Sequence, residues 1–146
     1  MSYSGKFKPK NYKKYKGDPT KIYYRSLWER RFMVYCDNNS KIIEWGSEEI
    51  IIPYKSPLDK KTHRYFPDFY VKYINKDKQV VREIIEVKPK RHLSPPKEPK
   101  RKTQRYLNEV ATYIKNKAKF KAAEEYCKDR KYSFRILTEE HLVPKK

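Results

Sequence analysis

Two β-rich segments joined by a tight turn constrain the fold of this chain more than any other feature of its sequence. Residues 62–73 and 79–88 are rich in branched and aromatic side chains, and Asn75-Lys76-Asp77-Lys78 lies between them. This pattern predicts an antiparallel hairpin, because strand-forming runs bounded by turn residues pair with each other. Such a hairpin would bring Asp68, on its first strand, beside Glu86 on its second.

Packing alone explains the charged residues of this hairpin poorly. Glu86 and Lys88 are two residues apart, so their side chains point to the same face of the second strand, which stops at Pro89. Burying a charge is costly unless the charge is paired or bound to a metal. We therefore expect Asp68, Glu86 and Lys88 to form a metal-dependent phosphodiesterase site. The alternatives are a turn role for Asp68 and an exposed, weakly stabilising charge set for Glu86 and Lys88.

The net charge of the chain points to a polyanionic partner. The 146 residues include 37 Lys and Arg against 18 Asp and Glu, a formal net charge of +19. Nucleic acid is the commonest polyanion that such a surface attracts. A membrane surface is the second candidate, but no apolar run approaches the roughly 20 residues of a spanning helix, so no membrane partner is expected.

Two basic segments flank the hairpin. Residues 1–25 are basic and Tyr-rich, and residues 89–99 are Pro-rich and lead into further Lys and Arg. Basic side chains neutralise phosphates and aromatic rings stack on exposed bases. Alternatively, the aromatics pack against the body of the protein and the Pro-rich loop is merely solvated. The predicted DNA contacts are Lys13, Lys14, Lys16, Arg25, Lys90, Arg91, Lys100, Arg101 and Lys102.

A helix is predicted to begin after Ser26. Ser26 and Glu29 have the spacing of a capping box, in which the two residues bond each other's backbone N–H groups. The helix carries an apolar stripe made of Trp28, Phe32 and either Tyr35 or Cys36.

A longer helical pattern covers residues 105–130, with Asn116 as a candidate break into two helices. Residues 132–137 follow as a strand, which a strand–helix–strand connection would place parallel to the second hairpin strand. Further strands are predicted at 41–45 and 48–54. We therefore expect a single α/β (α+β) domain over residues 26–146, with a mixed sheet in α-β-β-β-α-β order, preceded by an N-terminal arm over residues 1–25.

The two cysteines, Cys36 and Cys127, lie far apart in helical patterns, which predicts reduced, buried thiols in an intracellular protein. No Cys/His spacing indicates a zinc site. The segment Met1–Lys6 has no apolar core, so no secretory signal is expected.

Phosphodiester hydrolysis requires an activated water near neutral pH and neutralisation of the charge that builds on the phosphate. Mg²⁺ supports both when one or two carboxylates hold it, and Asp68 and Glu86 are such carboxylates. Lys88 can orient the attacking water or stabilise the transition-state charge. Glu29 is the candidate for a third carboxylate, although its capping position explains it as well.

These residues resemble the signature of the PD-(D/E)xK nucleases. Pro67-Asp68 precedes Glu86-Val87-Lys88, with eighteen residues from Asp68 to Glu86, and that family has the same α-β-β-β-α-β order in a restriction-endonuclease-like core. The helix start Ser26-Leu27-Trp28-Glu29-Arg30 and the closing segment 131–139 are similar to the group related to the TnsA transposon endonuclease. The whole chain, with its basic Tyr-rich start, resembles the head-completion nucleases of T-even-type bacteriophages.

The resemblance implies a role for each site residue. Asp68 and Glu86 become metal ligands, with the Val87 carbonyl as a further ligand. Lys88 becomes the catalytic lysine, and Glu29 the first-helix acid that completes the metal site. The implied cofactor is Mg²⁺, with Mn²⁺ as the alternative.

The resemblance also implies an activity and its setting. The chain is expected to be a deoxyribonuclease that trims packaged double-stranded DNA so that filled phage heads accept tails. Because no specificity-reading module is identifiable, little base preference is expected. Phage head, portal or neck proteins are the implied partners, and the host cytoplasm or the virion is the implied location. The alternative is a non-catalytic basic protein of the virion that binds DNA or plugs a portal.

Overall fold

The computed structural model describes residues 4–142, which form eight β-strands and three α-helices. The strands, in chain order, are β1 (Gly5–Lys6), β2 (Tyr23–Tyr24), β3 (Ile42–Ser47), β4 (Ile52–Lys55), β5 (Thr62–Tyr65), β6 (Phe69–Ile74), β7 (Val80–Val87) and β8 (Ser133–Leu137). The helices are α1 (Leu27–Asn38), α2 (Gln104–Arg130) and α3 (Glu139–Leu142). Residues 1–3 of the predicted arm and residues 143–146 of the predicted domain lie outside the described residues.

The predicted hairpin forms the centre of a four-stranded mixed sheet with the strand order β3–β6–β7–β8. β6 pairs antiparallel with both β3 and β7, whereas β7 pairs parallel with β8. In the hairpin, Phe69 lies opposite Ile85, so the next pair outward is Asp68 and Glu86. The order α1-β3-β6-β7-α2-β8 confirms the predicted α/β class and its mixed sheet.

β4 and β5 form a separate antiparallel pair, in which Ile52 lies opposite Tyr65. The long strand predicted over residues 62–73 is therefore two strands. The physical reason is the buried Pro67, which has no N–H group to donate to a strand ladder. Both Ile52 and Tyr65 pack with Ala123 of α2, so this small sheet is held against α2.

The helices α1 and α2 cover opposite faces of the main sheet. On one face, the rings of Phe32 from α1 and Phe69 from β6 have centroids 4.6 Å apart, in a core that also contains Ile85. On the other face, Ile84 packs with Cys127 of α2. Neighbouring residues of β7 thus belong to different cores, because successive side chains of a strand point to opposite faces.

The start of α1 follows the prediction only in part. Ser26 Oγ accepts a hydrogen bond of 3.1 Å from the Glu29 N–H, as a cap should. The Glu29 side chain does not return to Ser26; its Oε2 accepts from the Arg25 N–H at 2.9 Å. Between the two alternatives for the apolar stripe, Cys36 is buried and Tyr35 is 55% exposed.

α2 is one uninterrupted helix of 27 residues, so the predicted break at Asn116 is wrong. Asn116 is buried within it, and the helix contains neither Gly nor Pro to interrupt the backbone hydrogen bonds. Within residues 4–142, no helix combines the length and the apolar composition needed to cross a bilayer.

Both cysteines are buried and free of disulfides, as predicted. Cys36 lies in α1 and Cys127 in α2. Burial raises the pKa of the Cys127 thiol to about 11, which keeps this thiol protonated near neutral pH.

The segment before α1 contributes side chains to the main core. Phe7, Tyr15 and Ile22 are buried in the same cluster as Trp45 of β3. The Tyr15 and Trp45 rings meet edge to face, with centroids 4.8 Å apart and planes at 78°. Packing against the body is therefore confirmed for these aromatics, whereas Tyr12 is 58% exposed.

Lys14 joins this segment to the end of α1. Its ammonium donates hydrogen bonds to the carbonyl oxygens of Cys36, Asp37 and Asn39 at 2.7, 3.2 and 2.8 Å. The last carbonyls of a helix lack partners within the helix, and a cation is favoured at that end. The structure thus gives Lys14 a structural role, because its donors are used inside the protein, and Lys14 is not retained among the proposed DNA contacts.

Replacing Lys14 by Met should lower the free energy of unfolding by about 1–3 kcal/mol, because the carbonyls at the end of α1 lose a charged donor. Lys13→Met is the matched control, since Lys13 is the exposed neighbour. Urea unfolding measures the difference through the midpoint at an unchanged slope. Equal midpoints for the two variants would contradict the structural role of Lys14.

Candidate active site

Asp68 and Glu86 meet at the end of the central hairpin. Glu86 is buried, and Asp68 is partly exposed. Asp68 Oδ2 accepts a hydrogen bond of 2.7 Å from the Val87 N–H, which fixes this carboxylate beside β7. Burial, followed by the negative charge of Glu86, raises the pKa of Asp68 well above its usual value of 3.8. The convergence of the two acids on adjacent strands agrees with the sequence prediction.

Lys88 lies on the same face as Glu86. Its ammonium Nζ is 3.5 Å from Glu86 Oε2, and its side chain is 28% exposed. The Lys88 N–H donates to the Leu137 carbonyl at 2.9 Å, so the end of β7 remains attached to β8. Lys88 therefore stands at the border between the buried carboxylate and solvent.

Tyr65 is a residue of the site that the sequence analysis missed. From the end of β5, its hydroxyl donates a buried hydrogen bond of 2.7 Å to Glu86 Oε1. Burial, and then the charge of Glu86, raises the pKa of Tyr65 far above its usual value of 10.0, so the hydroxyl stays a donor. The sequence shows Tyr65 only as one aromatic residue of a strand, because the contact depends on where β5 folds.

Glu29 lies near the acid pair without joining a three-residue cluster. Burial raises the pKa of Glu29, and Glu48 and Glu86 raise it further, while the hydrogen bond from the Arg25 N–H lowers it. The charge of Glu29 also acts on Asp68. Within residues 4–142, however, no group of three or more His, Cys, Asp or Glu side chains is arranged to hold a metal.

The chemistry of Asp68 and Glu86 fits a divalent cation. Two carboxylates held together in partial burial repel each other, and a cation between them would relieve that repulsion. Carboxylate oxygens are the ligands that Mg²⁺ prefers. Among residues 4–142, the Lys88 ammonium lies 3.5 Å from Glu86, and no Lys, Arg or His nitrogen lies within 4.0 Å of an Asp68 carboxylate oxygen.

Lys119 of α2 is a second residue that the sequence analysis missed. Its ammonium lies 5.5 Å from the ring centroid of Tyr65 and 5.9 Å from that of Tyr54. In the sequence it is one of many lysines on a basic helix, and no local pattern distinguishes it.

Eight of the nine predicted DNA contacts are exposed, and Lys14 is the exception. Three of the eight form exposed ion pairs: Arg25 with Glu48 at 3.2 Å, Lys90 with Glu140 at 2.8 Å and Lys102 with Glu98 at 3.8 Å. Such pairs contribute little free energy, so they leave these cations open to phosphates. The others are Lys13, Lys16, Arg91, Lys100 and Arg101.

An open groove of about 790 Å³ lies between the Pro-rich segment and the first half of α2. Its lining includes Arg91, Arg105 and Tyr113, and it contains neither Asp68 nor Glu86. The lining also contains Glu109, which pairs with Arg105 at 3.2 Å, and the groove has no paired carboxylates for hydrolysis. The groove is therefore a neighbouring surface rather than the acidic site itself.

Comparison with known proteins identifies the family. Residues 39–139 match the family described as TnsA-like endonuclease N terminal, a span that includes Asp68, Glu86 and Lys88 but not Glu29. The chain is also 44% identical, over 146 aligned residues, to the head completion nuclease of Enterobacteria phage T4, and the alignment covers 97% of this chain and 95% of that protein. These matches confirm the resemblance inferred from the sequence. The chain belongs to the TnsA-like endonuclease family, among the head completion nucleases.

Proposed function

We propose that this chain is a nuclease that hydrolyses phosphodiester bonds of double-stranded DNA with little sequence specificity. The observation that carries the proposal is the pairing of the Asp68 and Glu86 carboxylates, with Lys88 beside them, in a chain of net charge +19. Carboxylates repel phosphates, so the Asp68–Glu86 pair would weaken DNA binding on a surface that only binds DNA. Membership of an endonuclease family supports the same activity.

Hydrolysis joins a water oxygen to the phosphorus and breaks one P–O ester bond, which leaves a phosphate monoester and a free hydroxyl. Asp68, Glu86 and the Val87 carbonyl are the proposed ligands of a divalent cation, Mg²⁺ or alternatively Mn²⁺. Glu29, which lies near the pair but outside a three-residue cluster in this structure, is the proposed additional carboxylate that would have to move to reach the cation. When bound, such a cation supplies water activation and neutralises phosphate charge. Orientation of the attacking water and of the carboxylates is proposed for side chains of this protein.

Lys88 and Tyr65 have complementary roles in this proposal. Lys88, 3.5 Å from Glu86, orients the attacking water or stabilises the charge that develops on the phosphate. Tyr65 holds one oxygen of Glu86 through its 2.7 Å hydrogen bond, which fixes the direction of the carboxylate. A carboxylate held in one orientation needs less reorganisation at the moment of reaction.

The exposed cations are proposed to hold the DNA over this site. Lys13, Lys16 and Arg25 come from the N-terminal segment, and the remainder from the region after β7, namely Lys90, Arg91, Lys100, Arg101 and Lys102. Contacts of Lys and Arg with phosphates position DNA without reading its sequence. This accounts for the proposed lack of base preference.

The biological setting is proposed from the relative in Enterobacteria phage T4, whose name is head completion nuclease. By this proposal the chain trims packaged DNA in filled heads, with phage head, portal or neck proteins as partners. It acts in the host cytoplasm, or as a component of the virion. A non-catalytic protein that binds DNA or plugs a portal is the competing function, and the cutting assay below separates the two.

Purified protein should nick supercoiled plasmid in Mg²⁺ and not in EDTA, because the proposed carboxylates work through a divalent cation. Asp68→Ala and Lys88→Ala should each lower the nicking rate by about 100-fold or more. Asp129→Ala and Lys128→Ala are matched controls, since both residues are exposed at the end of α2, and they should cut as wild type does.

Two results of this assay count against the proposal. Unchanged nicking by both Asp68→Ala and Lys88→Ala would show that the site is elsewhere. Wild-type protein that binds DNA in Mg²⁺ or Mn²⁺ but never cuts it would establish the non-catalytic function instead.

In EDTA, Asp68→Asn should make the protein more stable than wild type at pH 7–8. The pKa of Asp68 is raised in the folded state, so the folded protein binds this proton more tightly than the unfolded chain does. The resulting stabilisation is present below the unfolded pKa of about 3.9 and is lost as the pH rises through the folded pKa. Urea unfolding from pH 4 to pH 8 should therefore show wild type losing stability relative to Asp68→Asn.

Asp77→Asn, in the exposed turn between β6 and β7, is the control for this experiment. Adding Mg²⁺ at about 100 times its Kd should stabilise wild type and Asp77→Asn by about 2.7 kcal/mol, and Asp68→Asn much less. Equal stabilisation of all three proteins would remove Asp68 from the cation site.

Substitution of surface lysines is the appropriate test of DNA binding, since deletion of residues 1–25 would remove Phe7, Tyr15 and Ile22 from the core. Lys13→Gln/Lys16→Gln should weaken binding and flatten the slope of log K against log salt by about 1.8 units for two lost contacts. The control with the same change of charge is Lys76→Gln/Lys78→Gln, in the hairpin turn at the opposite end of β6 from Asp68. Equal slopes for the two double variants would place the binding surface elsewhere.

A further inference from the structure

Lys119 occupies an unusual environment for a lysine on the surface of a basic helix. It lies in the middle of α2, where Ala118 and Ala122 pack against the cluster formed by Ile52, Tyr54 and Tyr65. Its side chain is half-buried there. The close contact of α2 with the β4–β5 pair thus draws this side chain into the protein instead of leaving it in solvent.

The ammonium of Lys119 is held by aromatic rings rather than by carboxylates. It lies 5.5 Å from the Tyr65 ring centroid and 5.9 Å from the Tyr54 ring centroid, within the range of cation–π attraction. Across residues 4–142, no carboxylate oxygen lies within 4.0 Å of its Nζ, in contrast to Lys88. Ring faces accept no conventional hydrogen bond, so the three N–H donors of Lys119 keep their capacity for an anion.

Tyr65 connects Lys119 to the acidic site. The Lys119 ammonium lies over the face of the Tyr65 ring, and the Tyr65 hydroxyl donates a hydrogen bond of 2.7 Å to Glu86. The charges of Glu86, Asp68 and Lys88 all act on the Lys119 ammonium. Burial, and then Lys115 and Lys88, lowers the pKa of Lys119, whereas Glu86 and Asp68 raise it, so the ammonium lies within reach of both charges of the acidic site and of Lys88.

We propose that Lys119 binds a non-bridging oxygen of the DNA phosphate at the active site, as a second lysine that faces Lys88 from α2. This inference rests on the proposed nuclease function. Lys88 directly follows β7, the strand that carries Glu86, whereas Lys119 belongs to α2, which packs over that face of the sheet. The Lys88 and Lys119 ammonium groups then contact the phosphate from different elements of the fold. The Tyr54 and Tyr65 rings position the Lys119 ammonium.

The test replaces Lys119 by Met, which keeps an apolar stem against the tyrosine rings and removes only the charged head. Lys121→Met is the matched control, because Lys121 is an exposed lysine two residues further along the same helix. Lys119→Gln serves as a second loss-of-charge variant should the Met variant fail to fold. Thermal unfolding of each protein verifies that the fold is retained.

Two measurements are made on these variants. In single-turnover nicking of plasmid with Mg²⁺, Lys119→Met should be slower by about 100-fold, as expected for loss of one donor to the transition-state charge. In binding to a labelled duplex, the slope of log K against log salt should fall by about 0.9 for one lost phosphate contact. Binding is measured in the Glu86→Gln background, which does not cut under the proposed mechanism and repels the phosphate less. Lys121→Met should leave both values unchanged.

The outcomes separate this inference from the nuclease proposal. Nicking and salt slope equal to those of Lys121→Met would overturn the role of Lys119 and leave Asp68, Glu86 and Lys88 unaffected. Slower nicking with an unchanged slope would also overturn it, because Lys119 would then act without touching a phosphate. If wild type never cuts, the nuclease proposal fails, and the salt slope alone decides whether Lys119 contacts a phosphate.

Discussion

The register of the central hairpin is the constraint on which the rest of the structure depends. β6 and β7 pair so that Asp68 and Glu86 meet where the strands end. A slip of one residue would turn Glu86 towards the α1 core, because side chains of a strand alternate between faces. The fold tolerates two acids in partial burial because each receives a strong donor, Asp68 from the Val87 N–H and Glu86 from the Tyr65 hydroxyl. Their remaining repulsion lowers the stability of the folded protein, and a cation bound between them, as proposed, would relieve it.

The elements around this hairpin add a tyrosine and a lysine to the pair of acids. The β4–β5 pair lies outside the main sheet, yet it supplies Tyr65 to Glu86 and forms a shared cluster with Ala123 of α2. The same contact between β5 and α2 brings Lys119 over the Tyr65 ring. A single tyrosine thus touches both a carboxylate and an ammonium, so a change in the packing of α2 would be felt at Glu86.

The N-terminal segment packs against the core and also carries proposed DNA contacts, two roles that the sequence presents as alternatives. Phe7 and Tyr15 are part of the main core, and Lys14 closes the end of α1 by donating to three carbonyls. The lysines on either side, Lys13 and Lys16, point to solvent and remain proposed DNA contacts. A segment anchored in this way presents its cations on an ordered surface, which costs less conformational entropy on binding than a disordered arm would.

From the sequence alone we could predict the order of the main-sheet strands and helices, the hairpin, the convergence of Asp68 with Glu86 and the shared face of Glu86 and Lys88, but not the separate β4–β5 pair. These features follow from local periodicity and from a turn signal between two strands, which act over short distances along the chain. The folded chain alone showed the hydrogen bond of Tyr65 to Glu86, the position of Lys119 over the Tyr65 ring, the bonds of Lys14 to the end of α1, and the continuity of α2 through Asn116. The contacts of these side chains join elements that are distant in sequence. In the sequence itself they cannot be told apart from the other members of a set of 14 Tyr and 37 Lys and Arg. The contacts made in the fold, rather than the composition, distinguish Tyr65, Lys119 and Lys14 from the other tyrosines and lysines.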